Sequence, residues 1–202
     1  MMHYRVAAAV LGVASLLAGA PVAAQGMSWR IDPLHSAAHF TVRHMMISTV
    51  RGQFGGVKGA VQYDPNNPGA AKVEATIDAS TVNTADPKRD ADLKGKEFFD
   101  ISRFPVMKFK SSRIEVASPG KLKVTGDLTI NDITREVVLN VEGPTPPIRD
   151  TQGREKVGVN ATTTISRKEF GITYNPVLET GGVVVSDEVS IILDLELIRN
   201  QS

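Results

Sequence analysis

The feature that most narrows the fold is a two-residue rhythm that returns in eight segments of the chain, with turn chemistry between them. In residues 36–44 one parity reads Ser36, Ala38, Phe40, Val42, His44, and the other reads Ala37, His39, Thr41, Arg43. Successive side chains of a strand point to opposite faces, so this alternation predicts a strand with one buried side. Residues 52–64 repeat it with Val57, Gly59, Val61 and Tyr63 on the apolar parity, and the adjacent Gly55-Gly56 predicts a bulge. Residues 72–79 place Val73, Ala75, Ile77 and Ala79 on one face. Further strands are predicted over 106–114, 121–130, 135–142, 156–165 and 188–198. Asp64-Pro65-Asn66-Asn67-Pro68-Gly69, Ser118-Pro119-Gly120 and Asn131-Asp132 supply turns between them. Many short strands without an internal repeat predict one all-β domain, an antiparallel sandwich or barrel.

Residues 80–105 break the rhythm. Asp86 before Pro87 pairs an N-cap with a proline at the first helical position, so a short helix is predicted over 88–94, ending near Gly95. Phe98, Phe99 and Phe104 then stand in a charged stretch. Aromatic residues at that density disfavour free exposure, and residues 86–104 are expected to form the mouth or lid of whatever the strands enclose.

The inward parities mix large and small side chains. Phe40, Phe54, Tyr63, Phe109, Leu122, Leu128, Ile191 and Leu193 alternate with Ala38, Gly59, Ala75, Ala79, Gly126, Ala161 and Thr163. A barrel of eight strands is either filled by its own side chains or just wide enough for one small ligand. Two readings stay open: the small residues leave room for a ligand, or they let sheets pack closely. On the ligand reading, the wall comprises Phe40, Val42, His44, Phe54, Val61, Tyr63, Val73, Ala75, Ile77, Phe99, Phe109, Leu122, Val124, Leu128, Val159, Ala161, Phe170, Ile191 and Leu193. His44 ends an otherwise apolar row and is the candidate contact for a polar head; a rim histidine bonded to backbone is the plainer alternative.

The N-terminus fixes an expected address. Met1-Met2-His3-Tyr4-Arg5 is a short basic start, residues 6–20 are apolar, and Pro21-Val22-Ala23-Ala24 offers small residues to a signal peptidase. Residues 1–24 are therefore expected to be a cleaved signal peptide, with Gln25 leading a single domain over 25–202 in the periplasm. The apolar run is shorter than the ~20 residues of a spanning helix, so no integral membrane span is expected. The chain has 23 Lys+Arg and 22 Asp+Glu. Because the leader holds Arg5 and no acid, the remaining charges balance, and no single-sign field exists to attract nucleic acid.

Chemistry is sparse. There is no cysteine, which excludes thiol nucleophiles and thiolate metal sites. His35 and His39 would face one metal only on a helix; along a strand they lie ~13 Å apart. No nucleophile elbow or phosphate loop is present, and the carboxylates of Asp90 and Asp92 belong to a charged helix. Neither catalytic residues nor a metal nor a resident cofactor is expected.

With the segments in place, the chain resembles the YceI-like family of exported polyisoprenoid-binding proteins. The resemblance is carried by Ile31-Asp32-Pro33-Leu34-His35-Ser36 with Phe40-Thr41-Val42-Arg43-His44, then by Val50-Arg51-Gly52-Gln53-Phe54 with Gly59. It continues in Arg89-Asp90-Ala91-Asp92-Leu93 with Phe98-Phe99-Asp100 and Phe104-Pro105, and in Gly126-Asp127-Leu128-Thr129-Ile130 with Ile133-Thr134-Arg135. Ile165-Ser166-Arg167-Lys168-Glu169-Phe170-Gly171 completes it. The resemblance implies an extended eight-stranded antiparallel β-barrel, lipocalin-like, with one short helix and a long apolar tunnel. It implies a carrier of a polyisoprenoid or other long-chain amphiphile, of quinone or prenyl phosphate type, rather than an enzyme. An enzyme acting on such a lipid and a stress-related secreted interaction protein are the alternatives. A homodimer is compatible with all three.

Overall fold

The computed structural model describes residues 27–176 and 182–200; the predicted signal peptide and its cleavage site lie outside them. Eleven strands appear in chain order. The first five are β1 (Met27–Ile31), β2 (Ala37–His44), β3 (Ser48–Phe54), β4 (Lys58–Tyr63) and β5 (Lys72–Asp78). The helix α1 (Pro87–Lys94) follows. Then come β6 (Val106–Ser118), β7 (Lys121–Ile130), β8 (Ile133–Glu142), β9 (Ile148–Arg149), β10 (Glu155–Ser166) and β11 (Glu188–Arg199).

Eight of these strands close a ring in the order β1-β4-β5-β6-β7-β8-β10-β11, with β11 returning to β1. All the pairings in it are antiparallel. The longest runs between β10 and β11, from Lys156↔Ile198 to Ser166↔Glu188. The fold is the eight-stranded lipocalin-like barrel that the resemblance implied, where the alternation alone left sandwich and barrel open; closure pairs these eight strands and leaves β3 and β9 as the edge strands of the sheet.

Two staves of the barrel are interrupted. β1 and β2 both lie on β11, Trp29 opposite Arg199 and Phe40 opposite Ile191, and the chain breaks stride between them at Asp32-Pro33. β3 pairs with β2 and β4 with β1, and the predicted strand over 52–64 is split where Gly56 takes φ +64. β3 also begins earlier than the alternation suggested, at Ser48.

This interruption explains how the chain after β5 comes to cover the barrel end. β4 pairs with β5, but β3 finds no such neighbour, because β5 ends at Asp78. The chain after β5 fills the gap instead. Gln53 and Asn83 exchange backbone bonds of 2.9 Å in both directions, and Thr81 Oγ1 donates to Gly55 O at 3.1 Å. α1 is capped by Asp86, whose Oδ1 accepts from the Lys88 and Arg89 amides. No residue of this helix is fully buried. A helix so short is marginal alone. It is tied down by polar bonds: Thr84 N–H and Oγ1 both donate to Asp90, and Arg89 Nε donates to Thr84 Oγ1 at 2.7 Å. Asn131, in the β7–β8 turn, donates to Phe98 O at 2.7 Å. The stretch over 79–104 therefore caps the barrel end that also holds the β2–β3 turn, the β7–β8 turn and the start of β11.

Candidate functional site

The barrel interior is not filled. It holds one cavity of about 820 Å³ with a wall made almost wholly of carbon. That lies within the range of ligand pockets, ~300–1,000 Å³. The sequence-predicted wall residues all line this one space. β2 contributes Phe40, Val42 and His44, and β3 and β4 contribute Phe54, Val61 and Tyr63. β5 adds Val73, Ala75 and Ile77, β6 adds Phe109, and β7 adds Leu122, Val124 and Leu128. Val159 and Ala161 come from β10, Ile191 and Leu193 from β11, Phe99 from the segment after α1, and Phe170 from the turn after β10. Phe99 stands edge-on to Phe54, ring centroids 5.2 Å apart, and Phe54 meets Phe40 at 5.5 Å.

The two readings of the small residues divide by residue. Ala38, Ala75, Ala161 and Thr163 line the cavity and give it width. The glycines do not. A Cβ at Gly126 would come within 2.6 Å of the Phe109 ring, and one at Gly52 within 2.4 Å of the Phe40 ring. At Gly59 it would lie 2.2 Å from the Glu74 carbonyl oxygen. Glycine there makes room for an aromatic ring or a neighbouring backbone, not for a ligand. Ala79, almost fully buried, packs in the core outside the cavity.

Several wall residues escape the pattern reading. Trp29 and Ile31 belong to β1, a short strand cut off by Asp32-Pro33. Val137, Leu139, Val157, Leu195 and Leu197 continue the inward parity of β8, β10 and β11, whereas Ile114 joins the wall because a bulge between Ser111 and Arg113 shifts the parity of β6. Arg167 is the unexpected one. Its residue is 5% exposed, yet it carries a charge. The guanidinium donates to Ile172 O (2.7 Å), Tyr174 O (2.8 Å) and Ser186 O (3.0 Å), with Asp187 at 3.4 Å. Burial pulls its pKa down, and Asp187 opposes that pull. It fastens the chain after β10 to the chain before β11.

The exposed residues of the cavity wall gather at one end. The solvent-exposed residues on its wall are Ala91, Asp92, Gly95, Lys96, Glu97, Lys108 and Tyr174. They belong to α1, the residues after it, the start of β6 and the segment held by Arg167, all at the capped end. His44 and Arg89 reach the wall at this same end. At the opposite end the wall residues Tyr63, Ala71, Gly143 and Pro144 are half-buried. The geometry is an apolar tube with a polar mouth, suited to a long amphiphile and offering no assembled nucleophile and base among the described residues.

A second polar cluster lies outside the barrel wall, where β1 breaks into β2. Asp32, His35 and Glu196 bring ligand atoms within 4.8 Å of one another. Lys156 Nζ donates to Glu196 and lies 3.7 Å from both Asp32 and Asp150. An ammonium at that spot already supplies the positive charge a cation would bring, so the arrangement is an ion-pair network clamping the interrupted stave.

Two of its carboxyls set an acid limit. At Asp32 burial pushes the pKa up, but the bonds from His35 and the Leu34 amide and the charges of His35 and Lys156 outweigh it and hold the group low. At Asp150 burial likewise pushes up, and the Arg154 amide and guanidinium with the Gln152 amide bring it from 3.8 to about 2. A depressed folded-state pKa means the unfolded chain binds more protons. This contribution is complete above the unfolded value and is lost as pH falls from about 4 to about 2. Urea midpoints are expected to drop over that window, and Asp150→Asn should flatten the drop. Parallel acid limbs for parent and variant would place the sensitivity elsewhere.

A closed antiparallel barrel around an apolar cavity defines a lipocalin-like fold by architecture. Residues 29–197 match the YceI-like domain, and the chain belongs to that family. UPF0312 proteins of Staphylococcus aureus are 36–37% identical to it over 162 residues, covering 80% of this chain and 92% of theirs. Among solved structures, Burkholderia cenocepacia BcnA superposes with a TM-score of 0.70 at 25% identity, covering 82% of this chain and 98% of BcnA. A Campylobacter jejuni YceI protein gives 0.65 at 28%, covering 77% and 88%. A polyisoprenoid binding domain from Saccharophagus degradans shares the fold with a TM-score of 0.62 at 14% identity, covering 86% and 99%.

Proposed function

We propose that this protein binds and carries a polyisoprenoid or similar long-chain amphiphilic lipid, of quinone or prenyl phosphate type, after export to the periplasm. The observation that carries the reading is the apolar tube of about 820 Å³ with exposed polar residues at one end. Burying a prenyl chain in it stabilises the complex by ~25 cal/mol per Å² of apolar surface, less the cost of association. That a fold neighbour from Saccharophagus degradans is described as a polyisoprenoid binding domain agrees with this use of the barrel. The protein acts as a carrier rather than a catalyst in this account: the two arginines on the cavity wall, Arg89 and Arg167, hold the cap and the neighbouring chain together. The tail lies along the tube and the head remains at the mouth.

The chain has a single tryptophan, Trp29, and it lines the cavity. Its fluorescence should be quenched by a short-chain prenyl quinone, saturating at one quinone per chain. No quenching by the quinone, with no uptake of a prenyl phosphate, would refute the carrier reading.

His44 is proposed to meet the head. It lies half-buried on the wall at the mouth, and an imidazole donates a hydrogen bond in either protonation state. His44→Ala should weaken binding of the quinone by ~0.5–3 kcal/mol and leave binding of squalene, which has no head, nearly unchanged. Equal losses for both ligands would make His44 a packing residue only.

A further inference from the structure

The β2–β3 hairpin ends in a turn whose residues contradict its geometry. Ile47 N–H donates to His44 O at 3.1 Å, and the two residues between, Met45 and Met46, have φ of 50° and 61°. Positive φ at both central positions is the signature of a type I′ turn, which favours Asn-Gly. Two methionines are poorly suited to it, and they are followed by an isoleucine. The three side chains stand in solvent: Met45 is 40% exposed, Met46 56% and Ile47 79%.

The tip is held in place. Met45 N–H donates to Val184 O at 2.8 Å, His44 bridges Val185, and Ser186 N–H donates to Arg43 O at 2.9 Å. Val183 and Tyr174 extend the exposed apolar surface beside it, and Tyr174 rests on Phe98, ring centroids 5.3 Å apart. Phe98, Tyr174, Val185 and His44 all line the cavity. The apolar tip and the mouth are thus one continuous surface. The hairpin is also cationic: from Pro33 to Tyr63 the chain has no Asp or Glu, while Arg43 and Arg51 stand exposed on the two strands. Arg43 is braced over the turn, donating to Met46 O at 2.8 Å and Thr49 Oγ1 at 3.0 Å.

We propose that the Met45-Met46-Ile47 tip is a membrane-docking finger: it inserts into the interface of an anionic lipid bilayer, with Arg43 and Arg51 against the headgroups, and so seats the cavity mouth on the surface that supplies its lipid. Strain retained in an exposed turn needs a reason outside the monomer. Apolar side chains flanked by arginines match the requirements of shallow insertion into an anionic interface. Flexible methionines fit an irregular acyl surface. The purpose assigned to the finger rests on the carrier reading; its existence does not.

The test is the variant Met45→Asn/Met46→Gly, which installs the residues a type I′ turn favours and should fold at least as well as the parent. None of the three tip residues lines the cavity, so quenching of Trp29 by a dispersed short-chain prenyl quinone should be unchanged. Sedimentation with phosphatidylethanolamine–phosphatidylglycerol vesicles should weaken by about tenfold or more, the scale set by the lost apolar burial. The parent should bind phosphatidylcholine vesicles less well. Equal sedimentation of parent and variant, or no vesicle binding by either, would overturn the finger. So would a parent that dimerises through the tip by light scattering without binding vesicles. Loss of quinone quenching in both proteins would instead count against the carrier reading and leave the vesicle result to decide the finger.

Discussion

Replacing Arg167 by methionine is expected to lower unfolding stability by about 3–5 kcal/mol, a large share of a single domain's total. Methionine keeps most of the volume and removes every donor. The carbonyls of Ile172, Tyr174 and Ser186 then lose the guanidinium that satisfies them in a buried site, at a cost of about 1–3 kcal/mol for each left unpaired. Lysine should not rescue the loss, because a single ammonium lacks the planar fork that reaches acceptors on both sides. Urea denaturation checks this directly. A loss under about 1 kcal/mol would mean that the segment around Arg167 is held mainly by Phe170, which is 1% exposed.

The second large effect is on binding. Ala161 and Ala75 lie on different walls of the cavity, Ala161 opposite Leu193 on β11 and Ala75 opposite Phe109 on β6. A phenylalanine at either position should occupy space now left to the ligand. The affinity for a prenyl chain is expected to fall by ~1.5–3 kcal/mol, about ten- to a hundredfold in Kd. The fold should survive, since the ring enters a void instead of displacing packed atoms, and any overpacking should cost no more than about 1–3 kcal/mol. Titrating both variants with the quinone that quenches Trp29 measures the effect. Parent-like affinity in both would remove these faces from the binding surface.

Much of the barrel was legible because alternation is a local property, and a closed antiparallel barrel uses it on every stave. The cavity wall followed from the same parity, so residues as distant as Phe40 and Leu193 could be assigned to one interior before any contact was known. What the pattern missed depends on contacts made far along the chain. β1 is too short to announce itself, and only its pairing with β4 and β11 makes it a strand. Lys156 stands on the outward parity of β10, where a lysine should be solvated; it is buried because the β8–β10 connection folds back through β9 and Asp32 approaches from the break after β1. Gly59 and Gly126 left both readings open, and the Glu74 carbonyl and the Phe109 ring take the space beside them. Side-chain volume is local, whereas what fills the space beside it is not. The turn at Met45-Met46 was likewise invisible, since nothing in two methionines predicts positive φ.

Lipid carriage is tested most directly by purifying the protein from its own cells without detergent, extracting it with organic solvent, and identifying the released lipid by mass spectrometry. The released lipid is expected to be a long-chain isoprenoid amphiphile, near one per protein chain, and to be depleted in the Ala161→Phe variant. Protein recovered without lipid, and unable to take up a prenyl quinone or a prenyl phosphate afterwards, would contradict lipid carriage.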